Sequence, residues 1–180
     1  LSPYTTITPQ SPVNGRWSYL YDYFGFPFAA ALSRIHRFTD LFGQVTTVTG
    51  QTQFWDSADP NYYTACLCTA QLRFAQGFLA DIVYGKGERF THGERTFEVY
   101  GTDGTLIFAS DGGRYIHNKE ETPIQLGSRR GLFNTDTQQV LAHLLEDAPL
   151  YIQPTSSLYA LNVADAVRQS ARTERTIYLS

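Results

Sequence analysis

Between residues 44 and 118 the chain runs through short alternating segments joined by turn-length connections. That pattern confines it to mostly antiparallel pairing, because a parallel neighbour needs a crossover of a dozen or more residues. Val45 to Trp55 is rich in Val and Thr, and Tyr63 to Ala75 carries Ala65, Leu67, Thr69 and Gln71 in alternation. Phe78 to Tyr84 follows a turn at Gly77 and ends at Gly85-Lys86-Gly87. Arg95 to Gly101 and Gly104 to Ser110 flank Thr102-Asp103, a compact hairpin with glycine on both sides. Tyr115 to His117 makes one more short strand before a solvated charged turn, Asn118 to Glu121.

Helical periodicities lie on either side of these strands. Phe28, Leu32, Ile35, Phe38 and Phe42 recur at threes and fours, with Gly43 as a C-terminal stop. Towards the other end, Val140, Leu141, Leu144 and Leu145 form a stripe behind a cap at Thr135 or Asp136, ending near Asp147. A second closing helix follows Thr155, Ser156 or Ser157. There Ala160, Val163, Ala164, Val167 and Ala171 make a narrow face of small residues suited to lying close on a sheet. Thr176 to Leu179 is a last short strand. Strands in the middle with helices at the ends give an α+β fold, an open-faced, mostly antiparallel sheet with helices on one face. Residues 1–14, with Pro3, Pro9 and Pro12 among Ser and Thr, read as a linker, and residues 15–180 as one domain.

Charge and composition remove several functions. Fourteen basic against seventeen acidic residues give a net charge of -3, which offers no footprint for nucleic acid or an anionic membrane. No apolar run approaches the ~18 residues a membrane span needs. Cys66 and Cys68 share one strand face, badly placed to bridge each other, so a reduced, cytoplasmic setting is expected. The chain starts at Leu1 and contains no methionine, and a piece of a longer polypeptide is expected rather than the product of leader removal.

Chemistry is sparse. Gly85-Lys86-Gly87 lacks a third glycine and a following helix, and Gly101 to Gly104 sits inside a hairpin, so no phosphate loop is present. No Cys or His spacing suits a metal. Of four histidines, His92 falls in a turn, His117 stands just before the solvated charged turn, and His143 lies on the polar side of its helix. His36 differs: Arg34 and Arg37 stand beside it and Asp40 one turn later, an i, i+4 pair able to orient an imidazole and stabilise its protonated form. Trp17, Tyr19, Tyr21 and Tyr23 recur with period two, either a platform for stacking sugar rings or a sheet face covered by another element or subunit.

Three segments carry a resemblance. They are Ile35-His36-Arg37-Phe38-Thr39-Asp40-Leu41-Phe42-Gly43, the hairpin Phe97-Glu98-Val99-Tyr100-Gly101-Thr102-Asp103-Gly104-Thr105-Leu106, and the tail from Ser157-Leu158-Tyr159-Ala160-Leu161-Asn162 to Arg175-Thr176-Ile177. With them the chain resembles the C-terminal domain of the glucose-fructose oxidoreductase / inositol dehydrogenase / rhizopine-catabolism (Gfo/Idh/MocA) family. The resemblance implies that NAD or NADP, and a catalytic lysine, belong to an N-terminal Rossmann domain absent from this chain, and that none is bound here. It implies a small sugar-like substrate lying between the two domains, and homo-oligomers formed through the free sheet face. His36 matches the histidine that exchanges the alcohol proton. Leu32 stands where an acidic residue usually accompanies it, and Asp40 falls one residue beyond the family's following aspartate. The expected function is therefore the substrate-binding and assembly domain of an oxidoreductase acting on a sugar, polyol or related compound, inactive alone. His36 and Asp40 are its catalytic candidates, and Trp17, Tyr21 and Arg34 its substrate contacts. The alternatives are a stand-alone module for carbohydrates or small ligands and a non-catalytic assembly domain.

Overall fold

The computed structural model describes residues 19–21, 32–110, 112–128 and 130–180. They divide into two units, one built from residues up to Thr91 together with Ile152–Ser180, the other from His92–Tyr151.

The first unit follows the expected pattern closely. Helix α1 (Leu32–Phe42) buries Ile35 completely and packs Phe38 and Phe42 against the core. Gly43, at φ +79°, closes it by donating its N–H to the Thr39 carbonyl at 2.9 Å. Strands β1 (Val45–Asp56), β2 (Tyr63–Phe74) and β3 (Leu79–Gly87) then form a meander, paired Gly50 to Ala70 and Thr69 to Val83. Strand β3 continues past its expected end at Tyr84, because Gly85 leaves room for the Phe90 ring, which would lie 2.5 Å from a Cβ there. Thr47, Thr49, Gln51 and Gln53 of β1 alternate away from the core, and Val83 of β3 is 69% exposed, so one face of this sheet is open.

Helix α3 (Pro154–Thr173) covers the opposite face. Its buried set, Ala160, Val163, Ala164, Ala166, Val167 and Ser170, contains the small-residue face read from the sequence apart from Ala171, which is partly buried. Small side chains let the helix backbone approach the strand, and at Gly50 the approach reaches its limit. A Cβ there would stand 2.6 Å from the Val167 carbonyl oxygen. The same crossing is tied by a hydrogen bond. Ser170, fully buried, accepts from the Gly50 N–H at 3.0 Å and donates to the Arg175 carbonyl at 2.5 Å. The chain then turns back, and β8 (Ile177–Tyr178) pairs with β1, giving the order β3-β2-β1-β8. None of the expected Thr or Ser caps starts α3: Gln153 is the cap residue without a side-chain bond, and Pro154 presets the first turn.

The second unit carries β4 (Phe97–Gly101), β5 (Gly104–Phe108), β6 (Gly113–His117) and β7 (Glu120–Ile124), antiparallel throughout in that order. The hairpin about Thr102-Asp103 is as expected. Strand β7 departs from expectation, which places Glu120 and Glu121 in a solvated turn. The turn is shorter, only Asn118 and Lys119, both at positive φ (48° and 70°) as a tight hairpin requires. Pro123 is tolerated because β7 is an edge. Helix α2 (Leu132–Glu146) begins before the predicted cap, after Gly131 at φ +85°. Thr135 bonds back to the Gly131 carbonyl instead of capping. No residue of α2 is buried, so its Leu stripe stays exposed. The α+β class holds, with the strands shared between two sheets rather than one.

The crossing at Gly50 yields a stability prediction. Gly50→Ala forces overpacking worth about 1–3 kcal/mol. Ser170→Ala strands a buried N–H and a carbonyl, also costing about 1–3 kcal/mol. Urea unfolding reads both, and wild-type midpoints in either variant would contradict this account of how the helix is seated.

Candidate substrate site

The core face of the first sheet gathers its polar chemistry around Tyr63. Alternation alone would put Tyr63 on the face opposite Cys66. A register irregularity between Trp55 and Asp56 instead brings it inward, fully buried, a usual consequence of a β-bulge. There Tyr63 is a hub: its ring centroid lies 5.3 Å from Tyr19, 5.4 Å from Tyr21 and 5.1 Å from Phe54. Tyr19 and Tyr21 do not continue as a strand. Leu20 makes a single bridge to Tyr62, and Tyr21 donates its N–H to the Asn61 carbonyl. Tyr19 is thereby buried in the core, and Tyr21 packs edge-on against Phe54 with its hydroxyl donating to Asp56 at 2.6 Å. Of the two readings of the period-two run, an open platform for sugar rings is not formed at these two positions, whose rings pack against the core. Trp17 and Tyr23 lie outside the described residues.

Two cations stand over buried tyrosines of this core. Lys86 pairs across the sheet with Cys66, and its Nζ stands 3.9 Å from the Tyr19 ring centroid and 5.7 Å from that of Tyr63. Arg34, from α1, places its guanidinium carbon 4.8 Å over the Tyr84 ring. Both arrangements let a cation sit on the negative face of a ring while its stem is buried. Burial pulls the Lys86 ammonium down to about 8, against the pull of a neighbouring Cys66 thiolate in the other direction. Burial first, then Cys66 and Tyr84, pushes the Tyr63 hydroxyl far above its ordinary range, and burial with the Asp56 bond does the same to Tyr21. Between the thiols the hydrogen bond makes Cys66 the more acidic, and together with burial it raises Cys68. Both cysteines are free and buried.

His36 lies where α1 meets the start of α3. Its Nε2 is 3.2 Å from Ser156 Oγ, and that hydroxyl donates to the Gln153 carbonyl at 2.8 Å. With the serine proton committed, Nε2 must donate, which leaves Nδ1 as the ring's acceptor. Asp40 is exposed one turn further on. The imidazole is oriented by Ser156, a partner 120 residues away that helix spacing could not reveal. Of the other histidines, His117 bonds to the Asp103 carbonyl, His143 to the Ala148 carbonyl at 2.7 Å, and His92 is exposed. Among the described residues no cluster suits a metal ion, and no helix is long and apolar enough to cross a membrane.

Sequence reasoning brought Arg34, His36 and Tyr21 forward and missed Lys86, Tyr63 and Tyr84. A signal existed for two of the three. Ala80, Ile82, Tyr84 and Lys86 share one parity, so a strand carried through Gly85 would have turned Lys86 inward with Tyr84. The glycines on either side of Lys86 hid it.

Comparison with known proteins sets this geometry in context. A family model described as the oxidoreductase family, C-terminal alpha/beta domain, matches residues 3–179. A search of curated proteins finds no match. Among solved structures, the biliverdin reductase of Synechocystis in complex with biliverdin and NADP+ is 51% identical, with a TM-score of 0.86, covering 94% of this chain and 54% of that one. An aldose-aldose oxidoreductase from Caulobacter crescentus complexed with glycerol is 18% identical at TM-score 0.67, over 82% and 45% of the two chains. The UDP-N-acetylglucosamine 3-dehydrogenase of Acidithiobacillus ferrooxidans is 14% identical at 0.65, over 79% and 45%. The two sugar enzymes share the fold alone. The relative similar in sequence is not a sugar or polyol enzyme, which narrows the expectation drawn from the family resemblance to the reaction class. This chain spans about half the length of these proteins, and it belongs to the Gfo/Idh/MocA oxidoreductase family, of which it forms the C-terminal domain.

Proposed function

We propose that this chain is the substrate-binding half of an NADP-dependent reductase whose substrate is a linear tetrapyrrole of the biliverdin type. The observation that carries the reading is the 51% identity to the Synechocystis biliverdin reductase over 94% of the chain. Identity at this level supports a shared ligand class. The positive charges of Arg34 and Lys86 beside the core agree better with an anionic molecule than with a neutral polyol.

The cofactor belongs elsewhere in this reading. Gly85 and Gly87 lie within β3, and Gly101 and Gly104 pair within a hairpin, so their N–H groups serve ladders and open no helix towards a phosphate. Among the described residues neither glycine pair fits the phosphates of a dinucleotide. What the chain's residues supply is binding and proton handling. His36, with Nε2 committed to Ser156, offers Nδ1 to exchange a proton with the substrate, and Asp40 stabilises the protonated ring from one turn away. Tyr21, Arg34 and Trp17 contact the substrate. The protein works in the cytoplasm in this reading, where its thiols stay reduced.

Self-association through the open sheet face completes the proposal. Leu79, Val83 and Tyr178 are 57%, 69% and 80% exposed on its strands, an apolar set beside the Thr and Gln rows. Sedimentation is expected to give a dimer or larger, and a monomer at high concentration would remove this part.

Ligand class is tested by titrating the chain with biliverdin while following visible absorption. A saturable spectral change is expected, with no calorimetric signal from glucose or myo-inositol. Saturable sugar binding with an unperturbed biliverdin spectrum would overturn the reading.

A further inference from the structure

We propose that Ser156 is a positioning residue which confines proton exchange by His36 to Nδ1, in the neutral and the protonated ring alike. The proposal rests on His36 acting in the cleft, and it assigns which of the two ring nitrogens does the work and what keeps it so.

Helix α3 starts at Pro154, so Ser156 stands in its first turn. That turn closes on the Gln153 carbonyl, which takes the Ser156 N–H at 3.0 Å, the Ser157 N–H at 3.3 Å and the Ser156 hydroxyl at 2.8 Å. The hydroxyl bond fixes Oγ against its own helix and directs its proton away from His36. What Oγ turns towards the imidazole is a lone pair, 3.2 Å from Nε2. A bond there needs the hydrogen on Nε2, so the lone pair of the neutral ring lies on Nδ1. Core packing holds the two side chains in reach of each other. Ile35, beside His36, and Ala160, one turn beyond Ser156, are both fully buried.

Protonation leaves this contact intact. Both nitrogens of an imidazolium carry hydrogen, and Nε2 goes on donating to the same oxygen. Gain and loss of the proton then occur at Nδ1 alone, and the ring needs neither a flip nor a change of partner between its two states. Nδ1 has no hydrogen-bond partner among the described residues, and the ring is only half-buried, so this nitrogen is open to a ligand. A hydroxyl also differs from a carboxylate in this place. A carboxylate would fix the same tautomer but hold the ring protonated, whereas an uncharged acceptor orients it and leaves it able to take a proton as well as to give one.

The test is nitrogen NMR on the chain labelled with 15N-histidine, recorded at about pH 8.5, where an ordinary imidazole is neutral. His36→Gln identifies the resonances, and circular dichroism reports folding of each variant. In the wild type the His36 hydrogen is expected on Nε2 alone. Ser156→Ala should let the Nδ1–H form appear, and Ser156→Thr, which keeps a hydroxyl, should restore the single tautomer. Adding biliverdin should then move the Nδ1 resonance more than that of Nε2. A wild-type ring with its hydrogen on Nδ1 overturns the proposal and needs no variant to fold. An unchanged tautomer in a folded Ser156→Ala protein overturns it too, as does a ligand that moves Nε2 and leaves Nδ1 in place. The expected tautomers with no response to biliverdin would support the role of Ser156 and remove the tetrapyrrole reading instead.

Discussion

The close seat of α3 on β1 governs the first unit. Gly50 has no side chain because the Val167 carbonyl occupies the space, and Ser170 converts the resulting contact into a hydrogen-bonded joint. A larger residue at either surface would lift the helix. That matters beyond stability, because the N-terminal turn of the same helix carries Ser156, the partner that orients His36. Tyr159, one turn further, anchors the sheet instead, its hydroxyl oxygen accepting the Val45 N–H at 2.7 Å where β1 begins. One helix thus sets both the start of the sheet and the histidine that faces it.

The chemistry sits where that frame leaves a polar group inside an apolar core. Tyr63 is drawn inward by a register irregularity, and three further rings close around it. A lysine next to this cluster is unusual for a residue selected only for folding, since burying an ammonium costs free energy that a leucine would not. Ring faces offset part of the cost. The same reasoning applies less strongly to Arg34, whose broad guanidinium tolerates partial burial.

Much of the fold was legible from residue spacing. The meander from Val45 to Tyr84, the hairpin at Thr102-Asp103 and the small-residue face of α3 all follow from period and turn chemistry, which are local. The elements that escaped were decided by other forces. Strand β7 contains two glutamates and a proline, and only its pairing with β6 makes it a strand. The start of α3 rests on Pro154 rather than on any of three candidate caps. For the site, His36 was legible because a helix puts its neighbours in view. Its real partner was not, since Ser156 is distant in sequence. Lys86 was hidden by two glycines that read as a chain break and prove to be a strand accommodating the Phe90 ring.

The division of labour between this chain and a cofactor-bearing partner domain is open to a direct assay. The chain would be joined behind the part of the Synechocystis biliverdin reductase that it does not match, and NADPH consumption followed with biliverdin as acceptor. The account predicts steady turnover by the joined protein and none by this chain alone. NADPH oxidation by the chain alone would contradict it, and so would a folded joined protein that reduces aldoses and leaves biliverdin untouched.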